Sequence, residues 1–123
     1  MRLVSIATAL VMLPTVAAAA MLDITGKYGN EAGCRYAATN DYTDDTLLLI
    51  SPDEYMTYVT LCEFLQALPV KDGSKVMTML CAHEGETMQT IDFMRIQKSP
   101  DVGDSYDLFN AEGDHLGIVG RCK

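Results

Sequence analysis

The stretch "MTMLCAHEGE", Met77 to Glu86, sets two thioethers, a thiol, an imidazole and two carboxylates within ten residues. On a strand, alternate side chains share one face, so Met77, Met79, Cys81 and His83 would line up. Soft sulfur donors with an imidazole suit a cuprous ion, and Glu84 and Glu86 follow at once. A cysteine two residues from a histidine also holds the residue types of a nucleophile and its base, but that chemistry needs a free thiolate within reach of the ring. A plainer reading competes with both. Methionines fill irregular core space, and a cysteine held in a disulfide neither ligates nor attacks. The plainer reading is preferred, for reasons found at the start of the chain.

Residues 1–20, "MRLVSIATALVMLPTVAAAA", have the anatomy of a secretory leader: Arg2, an apolar run from Leu3 to Val16, and the small pair Ala18 and Ala20 at a cleavage position. The run is short for a membrane span, which takes roughly 20 apolar residues. Cleavage after Ala20 is expected to leave residues 21–123 as one domain in the periplasm or outside the cell, with no membrane insertion. A chain of this size buries about 60–70% of its unfolded surface, so covalent support helps. Cys34, Cys62, Cys81 and Cys122 are an even set in an exported chain, and two disulfides are expected.

Charge narrows the partners. Arg2 leaves with the leader, so eight basic residues stand against 17 acidic ones, a net charge of −9. Nucleic acid and anionic lipid need the opposite sign. A basic protein or a cation would be attracted.

The elements that must hold these residues read as strands. "TLLLI" (Thr46 to Ile50) is followed by the turn Ser51-Pro52-Asp53-Glu54, and "YMTYVTLCEF" (Tyr55 to Phe64) by the hairpin signal Asp72-Gly73. "KVMTMLCAH" (Lys75 to His83) turns at Glu84-Gly85-Glu86 into "TMQTIDFMRI". "YDLF" and "HLGIVGRC" close the chain. A short strand is expected near Lys27-Tyr28, and Glu31 to Asp45 reads as a polar connection. No segment has a convincing helical period; "TLCEFLQAL" is the nearest to one. The fold class expected is all-β, an antiparallel meander of about six to eight strands forming a small barrel or sandwich.

A two-residue turn at Asp72-Gly73 would set Cys62 opposite His83, and a shift of one or two residues would bring it opposite Cys81. The preferred pairing is therefore Cys62–Cys81 with Cys34–Cys122. The sequential pairing, Cys34–Cys62 with Cys81–Cys122, stays open.

The spaced segments "GKYGNEAGC", "LLISPDEYMTYVTLCEF", "CAHEGE" and a terminal "GRC" resemble a group of small exported four-cysteine proteins of alphaproteobacteria. Gly26, Tyr28, Cys34, Pro52, Cys62, Cys81, Glu84, Gly85, Glu86, Arg121 and Cys122 occupy the matching places. The chain departs from that pattern with Tyr28 where tryptophan is common and Thr60-Leu61 where an acidic residue often sits. The resemblance implies the fold and the compartment, and no activity.

Neither a phosphate-binding glycine loop nor a zinc-protease helix is present, and no cofactor is implied. The Asp and Glu pairs have no fixed separation of the glycosidase kind, so an enzyme is not expected. The candidate interaction tip is His83, Glu84 and Glu86, on a braced hairpin; Arg121 could instead pair with Glu84 or Glu86 inside the fold. The function expected is a periplasmic, non-enzymatic binding protein, an inhibitor or binder of a cationic envelope-targeting protein such as a lysozyme. The alternatives are a barrel-type carrier of a small ligand and a periplasmic copper binder. A filled interior is expected; a cavity of a few hundred cubic ångströms would rank the carrier first.

Overall fold

The computed structural model describes residues 11–13 and 21–123, and the expected leader, residues 1–20, falls almost entirely outside them. The strands are β1 (Tyr28–Gly29), β2 (Leu48–Ile50), β3 (Glu54–Thr57), β4 (Thr60–Pro69), β5 (Lys75–His83), β6 (Thr90–Lys98), β7 (Ser105–Asn110) and β8 (His115–Arg121), with one helix, α1 (Glu31–Thr39). Each strand pairs antiparallel with the next, and β1 meets β8, so the sheet closes into an eight-stranded barrel.

Alternation decides what lies inside. Cys62 and Phe64 on β4, Met77, Met79 and Cys81 on β5, Met94 and Ile96 on β6, Leu108 on β7 and Val119 on β8 are all buried in one cluster. The apolar run Leu47–Ile50 does not alternate because both faces of β2 are covered. Ile50 joins the barrel interior, while Leu47 and Leu49 pack with Ala32 under α1.

The helix replaces the expected polar connection over residues 31–39. Asn30 caps it: its Oδ1 accepts from the N–H of Gly33 at 2.8 Å and of Leu48 at 3.0 Å. Asn40 ends it in the left-handed region at φ 58°, donating its N–H to the Tyr36 carbonyl. Gly33 lets the helix lie against β2, since a Cβ there would sit 1.9 Å from the Leu48 oxygen.

Two further expectations on the strands are corrected, and the register shift expected near Asp72-Gly73 is found. Residues 55–64 are not one strand; Tyr58 and Val59 turn the chain between β3 and β4, where Tyr55 faces Cys62. The turn after β5 runs to residue 89, not 86, so β6 begins at Thr90. The β4–β5 connection spans residues 70–74, and Leu65 is bulged out between Phe64 and Gln66. That bulge supplies the last step of register that sets Cys62 opposite Cys81.

Both disulfides of the preferred pairing form, Cys62–Cys81 with Cα atoms 4.0 Å apart and Cys34–Cys122 at 5.2 Å. The first lies inside the barrel; the second ties α1 to the chain after β8. The sequential pairing is ruled out.

Candidate functional site

The meander sends the turns at 58–59, 84–89 and 111–114, with the loop at 40–47, to one end of the barrel, here the top. The base receives the turns at 70–74 and 99–104 and is plugged by the incoming segment. Leu22 is buried there, with Met21 and Ile24 against the core, and its N–H donates to the Pro52 carbonyl.

His83, at the top of β5, ties three strands together. Its Nδ1 is 2.9 Å from Thr60 Oγ1 on β4, and its Nε2 is 2.8 Å from Thr90 Oγ1 on β6 and 3.3 Å from Asp92 Oδ2. Thr90 donates onward to Asp92. A ring protonated at Nε2 fits this chain from end to end: Thr60 donates to Nδ1, Nε2–H donates to Thr90, and Thr90 donates to the carboxylate. Glu84 and Glu86 are exposed in the turn that follows. Their backbone N–H groups donate to Val59 and His83 carbonyls, and Gly85 takes the positive φ of 79°.

Beside this chain the top opens into a half-open cup of about 430 Å³. Tyr55, Cys62, Met79 and Met94 form its buried floor; Thr60, His83 and Asp92 line it from β4, β5 and β6, and Asn110, Glu112 and Leu116 from β7, β8 and the turn between them. Tyr55 is only 7% exposed, and its phenol has no hydrogen-bond partner among the described residues. Burial pushes the Tyr55 phenol up to about 12, so it stays a neutral O–H. On the far side of His83 a shallower groove runs between α1 and the barrel, lined by Tyr36, Tyr42, Val59 and Glu84. Tyr42 stacks on Tyr58 with ring centres 4.9 Å apart, which pins the loop after α1. Burial first, then the Glu84 carboxylate, raises the Tyr42 phenol.

Charge is uneven between the ends. Asp41, Asp44, Asp45, Glu84, Glu86, Glu112 and Asp114 all lie in top loops, and Arg35 on α1 faces Asp41 and Asp44 at 3.9 and 3.8 Å. At the base Lys71, Lys75, Lys98 and Arg121 are balanced by Asp23, Asp53, Asp72, Asp101 and Asp104. Arg121 does not reach Glu84 or Glu86, because β8 ends at the base while those glutamates are at the top. Its Nε instead donates to Asp104 at 2.6 Å, and its other nitrogens donate to the Thr25 carbonyl and the Tyr28 hydroxyl. The Tyr28 hydroxyl in turn donates to Asp104 Oδ1 at 2.7 Å.

The alignment of Met77, Met79, Cys81 and His83 on one face is real, but its members have different surroundings. Met77 and Met79 are core residues, and the sulfur of Cys81 is bonded to that of Cys62. Asp92 comes within 4.8 Å of both sulfurs, yet a disulfide presents no thiolate to a metal. His83, Glu84 and Glu86 line one depression at the top together with Thr60, Thr90 and Asp92. On a single strand over residues 55–64, Tyr55 would point away from the Cys62 face; the turn at Tyr58-Val59 instead folds it back opposite Cys62 and into the barrel.

The fold and site define a closed, disulfide-braced antiparallel barrel with an acidic, cupped top. Comparison with known proteins finds no family model that matches the chain, and no curated protein or solved structure similar to it.

Proposed function

We propose that this is a non-enzymatic binding protein of the bacterial envelope, working in the periplasm or outside the cell, whose site is the cup at the top of the barrel. The leader pattern, the two disulfides and the resemblance to small exported alphaproteobacterial proteins support the compartment. The carrier reading now ranks first. The observation that carries it is the cup itself, about 430 Å³, apolar at the floor and polar at the rim, in the size range of small-molecule sites.

The experiment is native mass spectrometry of the mature domain after exposure to a periplasmic small-molecule extract. A discrete mass adduct is expected on the wild type and none on Leu116→Trp, which puts a large ring over the mouth of the cup. A wild type that emerges without an adduct overturns the carrier reading.

One further observation favours a second reading. The top loops carry an excess of carboxylates, whereas the basic residues at the base are balanced by Asp23, Asp53, Asp72, Asp101 and Asp104; the acidic end would steer a basic protein toward the cup. The copper reading loses its support, since the thiol it needed is oxidised.

A further inference from the structure

We propose that the cup is a site for a small organic amine with a flat apolar body and one hydroxyl or carbonyl, anchored by Tyr55 at the floor and Asp92 at the rim. The inference rests on the small-ligand reading above and names the ligand class.

Tyr55 is the first reason. Buried tyrosine hydroxyls usually find a partner, and leaving one unmade costs about 1–3 kcal/mol. The other deeply buried polar side chains here obey that rule. Tyr28 donates to Asp104, Ser74 to Asp72 and Ser105 to the Gly103 carbonyl. Tyr55, although 7% exposed, has no such partner among the described residues, and it lines the cup. The phenol oxygen is not wholly inaccessible, and the cup is the cavity that Tyr55 lines, so water meets this hydroxyl in the free protein and a ligand atom can replace it there. A neutral O–H in that position is built to donate to, or accept from, one polar atom of a ligand.

Asp92 is the second. Its Oδ2 is engaged by Thr90 and His83, whereas its Oδ1 has no hydrogen bond among the described residues. Glu112 also lines the cup and makes no salt bridge among the described residues. Two carboxylates in the lining, with no lysine or arginine there, select a cation over a neutral or anionic ligand. The third reason is the floor. Met79, Met94 and the Cys62 sulfur are polarizable and adaptable, the surface on which an aromatic ring packs well.

Four compounds of one size separate these contributions: tyramine, 2-phenylethylamine, tyrosol and 4-hydroxyphenylacetate. Binding to the oxidised mature domain is followed through the NMR methyl signals of Met79 and Met94. Tyramine is expected to bind most tightly, with 2-phenylethylamine roughly threefold to tenfold weaker for want of one hydrogen bond. Tyrosol should be weaker than tyramine, and 4-hydroxyphenylacetate weakest. Tyr55→Phe should bring tyramine to the affinity of 2-phenylethylamine while leaving thermal stability unchanged or raised. Asp92→Asn should weaken both amines and spare tyrosol.

Tyrosol binding as tightly as tyramine removes the amine class while the cup reading stands. Tyramine affinity unchanged in Tyr55→Phe, or a clear loss of stability in that variant, removes the anchor. If none of the four compounds moves the two methyl signals at millimolar concentration, the inference fails; the cup reading is then judged by the extract experiment alone.

Discussion

Arg121 closes the barrel by chemistry that involves Tyr28 and Asp104 equally. The phenol accepts from the guanidinium and donates to the carboxylate, so the three groups satisfy one another where β8 meets β1. Asp104 is held below the usual carboxylate range first by its hydrogen bond from Arg121 and then by that from Tyr28. An unfolded chain takes up this proton at higher pH than the folded one does. The stabilisation is therefore complete above about pH 4 and is lost as pH falls through the lower folded value. Asp104→Asn should show a shallower decline in stability than wild type between about pH 4 and pH 2 in acid-denaturation curves. Asparagine tolerates the positive φ of 50° at this position. Some slope should remain, because hydrogen bonds from Thr46 and Ser74 likewise lower Asp44 and Asp72. Parallel curves for the two proteins would remove this role from Asp104.

At the scale of elements, α1 is the least supported part of the fold. It rests on a small cluster, Ala32 against Leu47 and Leu49, with Tyr36, Ala37 and Met56 around it. Two devices compensate: the Asn30 cap, which also satisfies Leu48, and the Cys34–Cys122 bridge across 88 residues. On the chain-entropy account a bridge of that span stabilises by about 4.5 kcal/mol, against about 3 kcal/mol for a loop as short as that of Cys62–Cys81. Cys34→Ala with Cys122→Ala should therefore lower unfolding stability by about 4.5 kcal/mol in denaturant titration. Amide exchange in α1 should accelerate well beyond that in β4, β5 and β6. Uniform acceleration across helix and strands would mean that the bridge holds the barrel as a whole and not the helix in particular.

The whole molecule has two unlike ends. The base is plugged by Leu22 and bound by the Arg121 network, while the top is acidic, cupped and edged by His83. That polarity makes a prediction for the basic-protein reading. A c-type lysozyme should bind in a salt-sensitive manner, since screening acts beyond about 8–10 Å at moderate ionic strength. Glu84→Gln with Glu86→Gln should slow association measured by surface plasmon resonance, while Lys71→Gln with Lys75→Gln at the base should not. Equal effects from the two ends, or no binding at low salt, would sink that reading.

The all-β class and the preferred cysteine pairing were legible because each rests on local signals: β-branched runs between turn residues, and the Asp72-Gly73 hairpin that brings Cys62 to Cys81 and leaves Cys34 for Cys122. The hairpin at Tyr58-Val59 was not legible. Neither residue takes a positive φ, so the turn needs none of the glycine or asparagine that marks a hairpin. The helix at residues 31–39 carried caps in Asn30 and Asn40, but its apolar face is too narrow to show a period. Composition and spacing by themselves determined an acidic, disulfide-braced antiparallel meander. Only the tertiary structure decided that the meander closes, that the base is plugged while the top stays open, and that Tyr55 lines the cup with no hydrogen-bond partner among the described residues. Those facts depend on contacts between residues far apart in the chain, and no local pattern encodes which long-range pairs will meet.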